Sequence, residues 1–229
     1  MSGVAGLRRF VARPHTGPRL PAFATRERRP VPGESCEMCG VGVHEEHSHV
    51  VDIDTRRLLC TCRPCALLFT QAGAGRGNLR TVPDRYLTDP SFSLDGGRWE
   101  DLQVPVSVAF FFHNSVLGRV VAHYPSPAGA TESLLDLSAW DAIVAENPLA
   151  AALEPDVEAL IVRRAGPGST ATTDECFLVP IDACYELVGR VRMHWSGFDG
   201  GAEARADLDA FFANARARAR VLTGGQRDA

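Results

Sequence analysis

Cys36-Glu37-Met38-Cys39-Gly40 and, further on, Cys62-Arg63-Pro64-Cys65 are the stretches that decide how this chain is read. Two CxxC pairs with 22 residues between Cys39 and Cys62 can fold back as two knuckles, each giving two thiolates to one tetrahedral ion, most often zinc. Gly40 follows the first pair directly, where the chain must turn so that backbone N–H groups point at sulfur, and glycine tolerates the positive φ this requires. The expectation is a metal-bearing module with Cys36, Cys39, Cys62 and Cys65 as ligands. Zn2+ is the expected ion and iron the alternative, because thiolate-rich tetrahedral sites suit both. Four-thiolate sites more often hold a fold together than perform chemistry.

Between the pairs, residues 49–54 and 57–60 read as short strands joined by a turn at Asp54-Thr55-Arg56, the hairpin of a zinc ribbon. Residues 64–71 read as a short amphipathic helix. The spacer carries more donors than one ion needs: Cys60, His44, His47 and His49 bring the total to eight soft or borderline ligands within 30 residues. On one account Cys60 is a buried strand residue and the histidines are solvated. On the other, His47 or His49 replaces a cysteine, or these residues with Cys60 make a second or exchangeable site.

Working outward, residues 1–33 carry seven arginines against Glu27 alone, a balance of +6, leaving 17 arginines and 27 acidic residues, or −10, for the rest. Five prolines in that arm oppose helix and sheet, so residues 1–33 are expected to be a disordered Arg/Pro-rich lead-in. Residues 34–72 form the metal module, the glycine-rich stretch 72–78 reads as a hinge, and an α+β domain occupies 79–223. The glycines are not a phosphate loop, since no GKS, GKT or complete GxGxxG is present.

The second domain opens with two apolar runs, 105–113 and 116–123, flanking Asn114-Ser115, a hairpin signal. Residues 124–131, with Pro125 and Pro127, are expected to form a loop. A helix is expected over 139–146 from the Ser138/Asp141 capping spacing, then strands at 157–163 and 175–180. Asp182 is expected to cap a helix burying Cys184, Leu187, Val188 and Val191. A final helix carries Leu208, Phe211, Phe212, Ala215, Ala219 and Leu222 on one face, with Arg216, Arg218 and Arg220 in its last turns and Gly224 ending it. This order predicts an α+β sandwich with helices on one sheet face.

Catalysis finds little support. Cys184 on an apolar helix face reads as core, and His113 and His123, at the ends of neighbouring strands, read as polar plugs. Two loop stretches rich in aromatic, glycine and polar residues, 123–129 and 193–201, are where a partner-binding surface is expected, with Tyr124, Ser126, His194 and Trp195 as its candidates.

Composition excludes wholesale disorder, since 45% of residues are hydrophobic. All 24 basic residues are arginine, in keeping with a GC-rich bacterial coding sequence. Five of seven cysteines cluster at metal-ligand spacing, which favours a reducing cytoplasm over a disulfide framework. Arg8-Arg9 is not followed by the apolar stretch of a twin-arginine signal. The longest apolar run, 104–112, is interrupted and too short to span a bilayer. Nucleic acid is an unfavourable partner for a body of −10 with no aromatic stacking platform in the ribbon.

The CxxC segments, His47-Ser48-His49, Arg57-Leu58-Leu59-Cys60-Thr61-Cys62-Arg63-Pro64-Cys65-Ala66-Leu67-Leu68-Phe69, Tyr124-Pro125-Ser126-Pro127-Ala128-Gly129 and Pro180-Ile181-Asp182-Ala183-Cys184-Tyr185 together carry a resemblance. They resemble a mainly actinobacterial family of unknown function encoded beside genes for high-affinity nickel-iron hydrogenases. The resemblance runs from about Cys36 to Phe212 and implies a non-catalytic metal-binding accessory protein serving assembly of, or electron supply to, a hydrogenase-like metalloenzyme. A hydrogenase subunit or maturation factor would then be its partner. The alternatives are a zinc-ribbon nucleic-acid-binding protein and a rubredoxin-like iron carrier; a catalytic zinc would need an open position and a nearby base such as Glu45 or Glu46.

Overall fold

The computed structural model describes residues 33–71, 73–92, 99–100, 102, 104, 106–133, 137–166, 169, 171–197 and 200–222. The basic arm up to residue 32, the Ser138 side chain and the expected terminator Gly224 lie outside the described residues.

β1 (Ser48–Asp52) and β2 (Arg57–Thr61) form the expected antiparallel hairpin, with Val50 opposite Leu59 and His49 opposite Cys60. The Asp52 carboxylate accepts the Thr55 N–H at 3.1 Å in the turn. The helix expected over 64–71 is shorter: α1 (Arg63–Ala66), with proline in its first turn, gives way to a single 3-10 turn at Leu67–Phe69. The stretch read as a hinge instead returns the chain to the ribbon. Gly75 and Arg76 take positive φ of 59° and 65°, and after Gly77 and Asn78 the chain forms β3 (Leu79–Thr81), which pairs with β1 to complete the order β2-β1-β3. A Cβ on Gly75 would meet the Phe69 ring at 3.0 Å, so close packing of this return turn, as well as its φ, asks for glycine.

The second sheet has seven strands: β4 (Leu87–Thr88), β5 (Val108–Asn114), β6 (Arg119–Ser126), β7 (Gly129–Ser133), β8 (Glu158–Arg163), β9 (Glu175–Pro180) and β10 (Arg220–Val221), in the order β10-β4-β9-β8-β5-β6-β7. Every pairing is antiparallel except β10 with β4. The helices are α2 (Leu137–Glu146), α3 (Pro148–Ala151), α4 (Ile181–His194) and α5 (Gly201–Arg218). The chain is therefore a mixed α/β protein with a small cysteine-bearing sheet ahead of a large one.

Both faces of the large sheet are covered, where helices on one face were expected. Phe110, Ile161, Phe177 and Val179 meet α4 and α5 through Leu187, Val191 and Phe212. The alternate residues Phe111, Leu160, Val162 and Leu178 meet Trp99, Trp140, Ile143 and Leu149 on the other side. All six residues of β8 are buried, and a strand apolar at consecutive positions must be covered on both faces. Two other expectations differ. The segment 124–131 is a hairpin and not a loop, because β6 runs on to Ser126 and turns at once into β7. The last helix stops at Arg218, and Arg220 pairs with Leu87 in β10 instead of joining a final turn.

The two sheets are joined by packing and by charge. Val51 and Val82, with Ile53 and Leu58 beside them, belong to the core on the α4 side. Arg85, in the connection out of the ribbon, holds the fully buried Glu158 carboxylate bidentately at 2.6 and 2.8 Å. Arg80 in β3 donates to the Pro155 carbonyl at 2.9 Å. Among the described residues, no helix is long and apolar enough to cross a membrane.

Candidate metal centre

The four CxxC cysteines come together as the spacing implies. Cys36, Cys39, Cys62 and Cys65 place their Sγ atoms within 4.8 Å of one another, from fully buried Cys36 to exposed Cys39. Cys39 and Cys62 Sγ are 3.7 Å apart, against about 3.8 Å for the edge of a tetrahedron of thiolates about 2.3 Å from zinc. That separation is far beyond a disulfide bond of about 2.05 Å.

Local backbone geometry builds this arrangement. The Cys36 N–H donates to Val41 O and the Gly40 N–H to Cys36 O, both at 2.8 Å, and an isolated bridge between Ser35 and Gly42 closes the loop. Gly40 turns the corner at φ 75° with open space where a Cβ would stand, so the backbone conformation alone asks for glycine there. The second knuckle leads into α1, whose Ala66 N–H donates to Cys62 O at 3.0 Å. Glu37 ties the first knuckle to β2: its carboxylate accepts the Cys60 N–H at 2.7 Å and Arg57 at 3.1 Å, while its own N–H donates to Cys60 O.

Cys36 and Cys65 do not share one proton affinity. Burial would raise the Cys36 thiol, but N–H groups at Cys62, Cys39 and Met38 outweigh it and bring Cys36 down to about 6. Cys65 is pushed up to about 12 by the neighbouring Cys62 and Cys39 sulfurs. This is the behaviour of a cluster in which one thiolate forms easily and further negative charge is resisted. A dication among the sulfurs reverses that resistance, since coordination deprotonates thiols outright.

The remaining donors of the spacer also converge. His47, His49 and Cys60 offer ligand atoms within 4.8 Å of one another, all three half-buried. The account of solvated histidines does not hold for these two: His47 Nδ1 lies 2.7 Å from the His44 carbonyl, and His49 Nδ1 lies 2.7 Å from Asp182 Oδ2. Burial, then the charge of Glu37, pushes the Cys60 thiol up. Asp182 was not legible as part of this cluster, being 133 positions from His49. Its sequence context pointed to a helix cap, yet α4 begins at Ile181 after Pro180, and no cap side-chain hydrogen bond forms there.

The other candidates have structural surroundings. Cys176 and Cys184 are buried in the two cores, and burial pushes both thiols up. His123 is stacked between Phe110 and Phe112 at ring separations of 5.5 and 5.4 Å. His113 sits at an odd position of β5, on the face of Phe111, so the two histidines project from opposite faces of the sheet. Tyr124 packs against the Trp140 side of the sheet, and Ser126 Oγ bonds Thr131 and accepts the Ala128 N–H. Trp195 packs against the α4 side and donates from Nε1 to Gly197 O, while His194 Nδ1 meets Asp207 Oδ2 at 2.6 Å. The two stretches expected to meet a partner thus pack over opposite cores.

Residues 35–219 match the family described as "Family of unknown function (DUF5947)", and the chain belongs to it. No curated protein and no solved structure matched the chain.

Proposed function

We propose that this member of a family of unknown function is a non-catalytic metal-binding accessory protein whose four-cysteine centre holds one structural Zn2+, and that it serves assembly of, or electron supply to, a hydrogenase-like metalloenzyme in the cytoplasm. The observation that carries the metal reading is the convergence of Cys36, Cys39, Cys62 and Cys65, with Cys39 and Cys62 sulfurs at tetrahedral-edge distance. Closure by four thiolates leaves no position for a reacting water, which favours a structural over a catalytic role. The hydrogenase part rests on the resemblance of the CxxC, His47-Ser48-His49 and Pro180–Tyr185 segments to a family encoded beside such enzymes. The partner is a hydrogenase subunit or maturation factor, and its contacts are assigned first to Tyr124 and Ser126 in the β6–β7 hairpin and to His194 and Trp195 after α4.

The test is anoxic purification without a metal-binding tag, followed by elemental mass spectrometry and a visible spectrum. Zinc at the four-cysteine centre without colour supports the reading. Iron with thiolate charge-transfer bands would replace it with an electron carrier, because zinc has no redox chemistry and thiolate-bound iron does. Deletion that leaves hydrogenase assembly and activity intact would remove the accessory role.

A further inference from the structure

We infer that Cys60, His47 and His49 form a second metal site, separate from the four-cysteine centre, which takes one exchangeable divalent ion of zinc's class and leaves a coordination position open. The hairpin register and a ring contact build it. Cys60 stands directly opposite His49 in the β1–β2 register, and the His47 ring, one residue before β1, lies 4.6 Å from the His49 ring. Their ligand atoms lie within 4.8 Å of one another, against about 3.3–3.8 Å around a tetrahedral ion.

Both imidazoles are set up as ligands. His47 Nδ1 meets the His44 carbonyl and His49 Nδ1 meets the Asp182 carboxylate, each at 2.7 Å. Each contact places the proton on Nδ1, since both acceptors are oxygen, and leaves the Nε2 lone pair as the atom each ring can offer. His47 Nε2 is buried and has no hydrogen-bond partner, a condition native interiors rarely tolerate unless something else binds the atom. A carboxylate behind a histidine ligand is the recurrent way of fixing the ring and raising its basicity.

Donor chemistry names the ion. One thiolate and two imidazoles suit zinc, cobalt or nickel and not calcium or magnesium, which prefer oxygen. The thiolate and the Asp182 carboxylate together balance a dication. Three protein ligands are the complement of zinc sites that keep an open position, whereas structural sites close with four. The neighbouring cysteines already provide four for their own ion, so these donors are not needed there. Asp182 lies in the first turn of α4, which places occupancy of this site at the contact between ribbon and large sheet.

The experiment is metal titration of the untagged full chain with Zn2+ and, in parallel, Co2+, read by elemental mass spectrometry after buffer exchange and by the cobalt visible spectrum. The wild-type chain is expected to bind two ions. Cys60→Ser and His47→Ala are each expected to bind one, with the cobalt spectrum of the four-thiolate centre kept, which separates failure at the second site from failure at the first. If Cys60→Ser or His47→Ala loses both ions through misfolding, Asp182→Asn decides: it removes no ligand and is expected to weaken the second ion about 10- to 100-fold with the first unchanged. A wild-type chain that saturates at one ion, or a second ion that survives both Cys60→Ser and His47→Ala, or an Asp182→Asn chain that holds both ions as tightly as wild type, overturns the site.

Discussion

In the ribbon few apolar side chains are buried, chiefly Cys36, Val43, Val50, Val51, Ala66 and Val82, and two of these, Val51 and Val82, belong to the core of the neighbouring sheet. In the large sheet β8 buries six residues of six, and apolar clusters fill both faces. The small sheet has a cluster of four cysteines where the large sheet has buried area. A segment of about 50 residues rarely closes a sufficient core by itself, and metal is one of the few substitutes. The two regions should therefore fail for different reasons.

The largest expected effect is on the ribbon alone. With zinc at the four-cysteine centre as proposed, stripping it with a strong chelator, or replacing Cys36 by serine, removes a contribution on the order of 10 kcal/mol to the order of that module. Hydrogen exchange followed by mass spectrometry should show loss of amide protection in β1 and β2 with β8 and β9 still protected. Simultaneous loss in both would mean that the sheet depends on the ribbon, and the contrast would go.

Next comes the reciprocal change. Leu160→Ala empties a fully buried position opposite Leu178 in the second core, which Trp140 shares, and should cost about 3 kcal/mol. Denaturant melts monitored by fluorescence of the buried Trp99 and Trp140 give the cost, and metal content should be unchanged. A drop in bound metal of the same variant would count against independent support.

Smaller still is Gly40→Ala. Nothing stands near its missing Cβ, so the penalty is that of an L-residue held at φ 75°, about 1 kcal/mol. Competition with a chromogenic chelator should show about fivefold weaker zinc retention, and the Trp fluorescence melt should not move.

The smallest effect is confined to acid. Burial holds the His123 imidazole below its usual value of 6.5. Above that value folded and unfolded chains are both neutral at this residue, and its native environment is tolerated in full. As pH falls below it the unfolded chain takes up a proton that the native one refuses, so stability declines until pH passes the lower folded value. His123→Phe should flatten that part of the pH dependence of the Trp fluorescence melt. An unchanged slope would place the acid sensitivity elsewhere.

What could be read in the sequence follows the range of the interactions. The thiolate set was legible because each knuckle is local, and the β1–β2 hairpin because branched and apolar residues flank a polar turn. The third ribbon strand was not, since Leu79–Thr81 is three residues long and carries no period of its own. A glycine run before it looked like a hinge when it is a return turn. Pro125 argued for a loop, yet the β5–β6 pairing reaches only to His123, so Pro125 pairs with β7 alone and its missing N–H breaks no ladder. Helices on the second face escaped because the alternation in β5, β8 and β9 is between two apolar sets, which shows no polar side to betray it. The Asp182–His49 contact had no local signal at all.

The cross-strand pair of His49 and Cys60 makes the chemistry of the ribbon a matter of parity. Odd positions of β1 carry the imidazole and even ones carry Val50, which is fully buried on the reverse side. Loss of one codon from β2 between Arg57 and Cys60, with the turn unchanged, would transfer the thiol to the reverse side opposite Val50, while loss of two would return it to the imidazole side opposite Val51. Gene-length changes of one and two residues at the same spot should thus differ in kind and not in degree, and a library of such deletions, sorted on cobalt colour, would read the strand's parity directly.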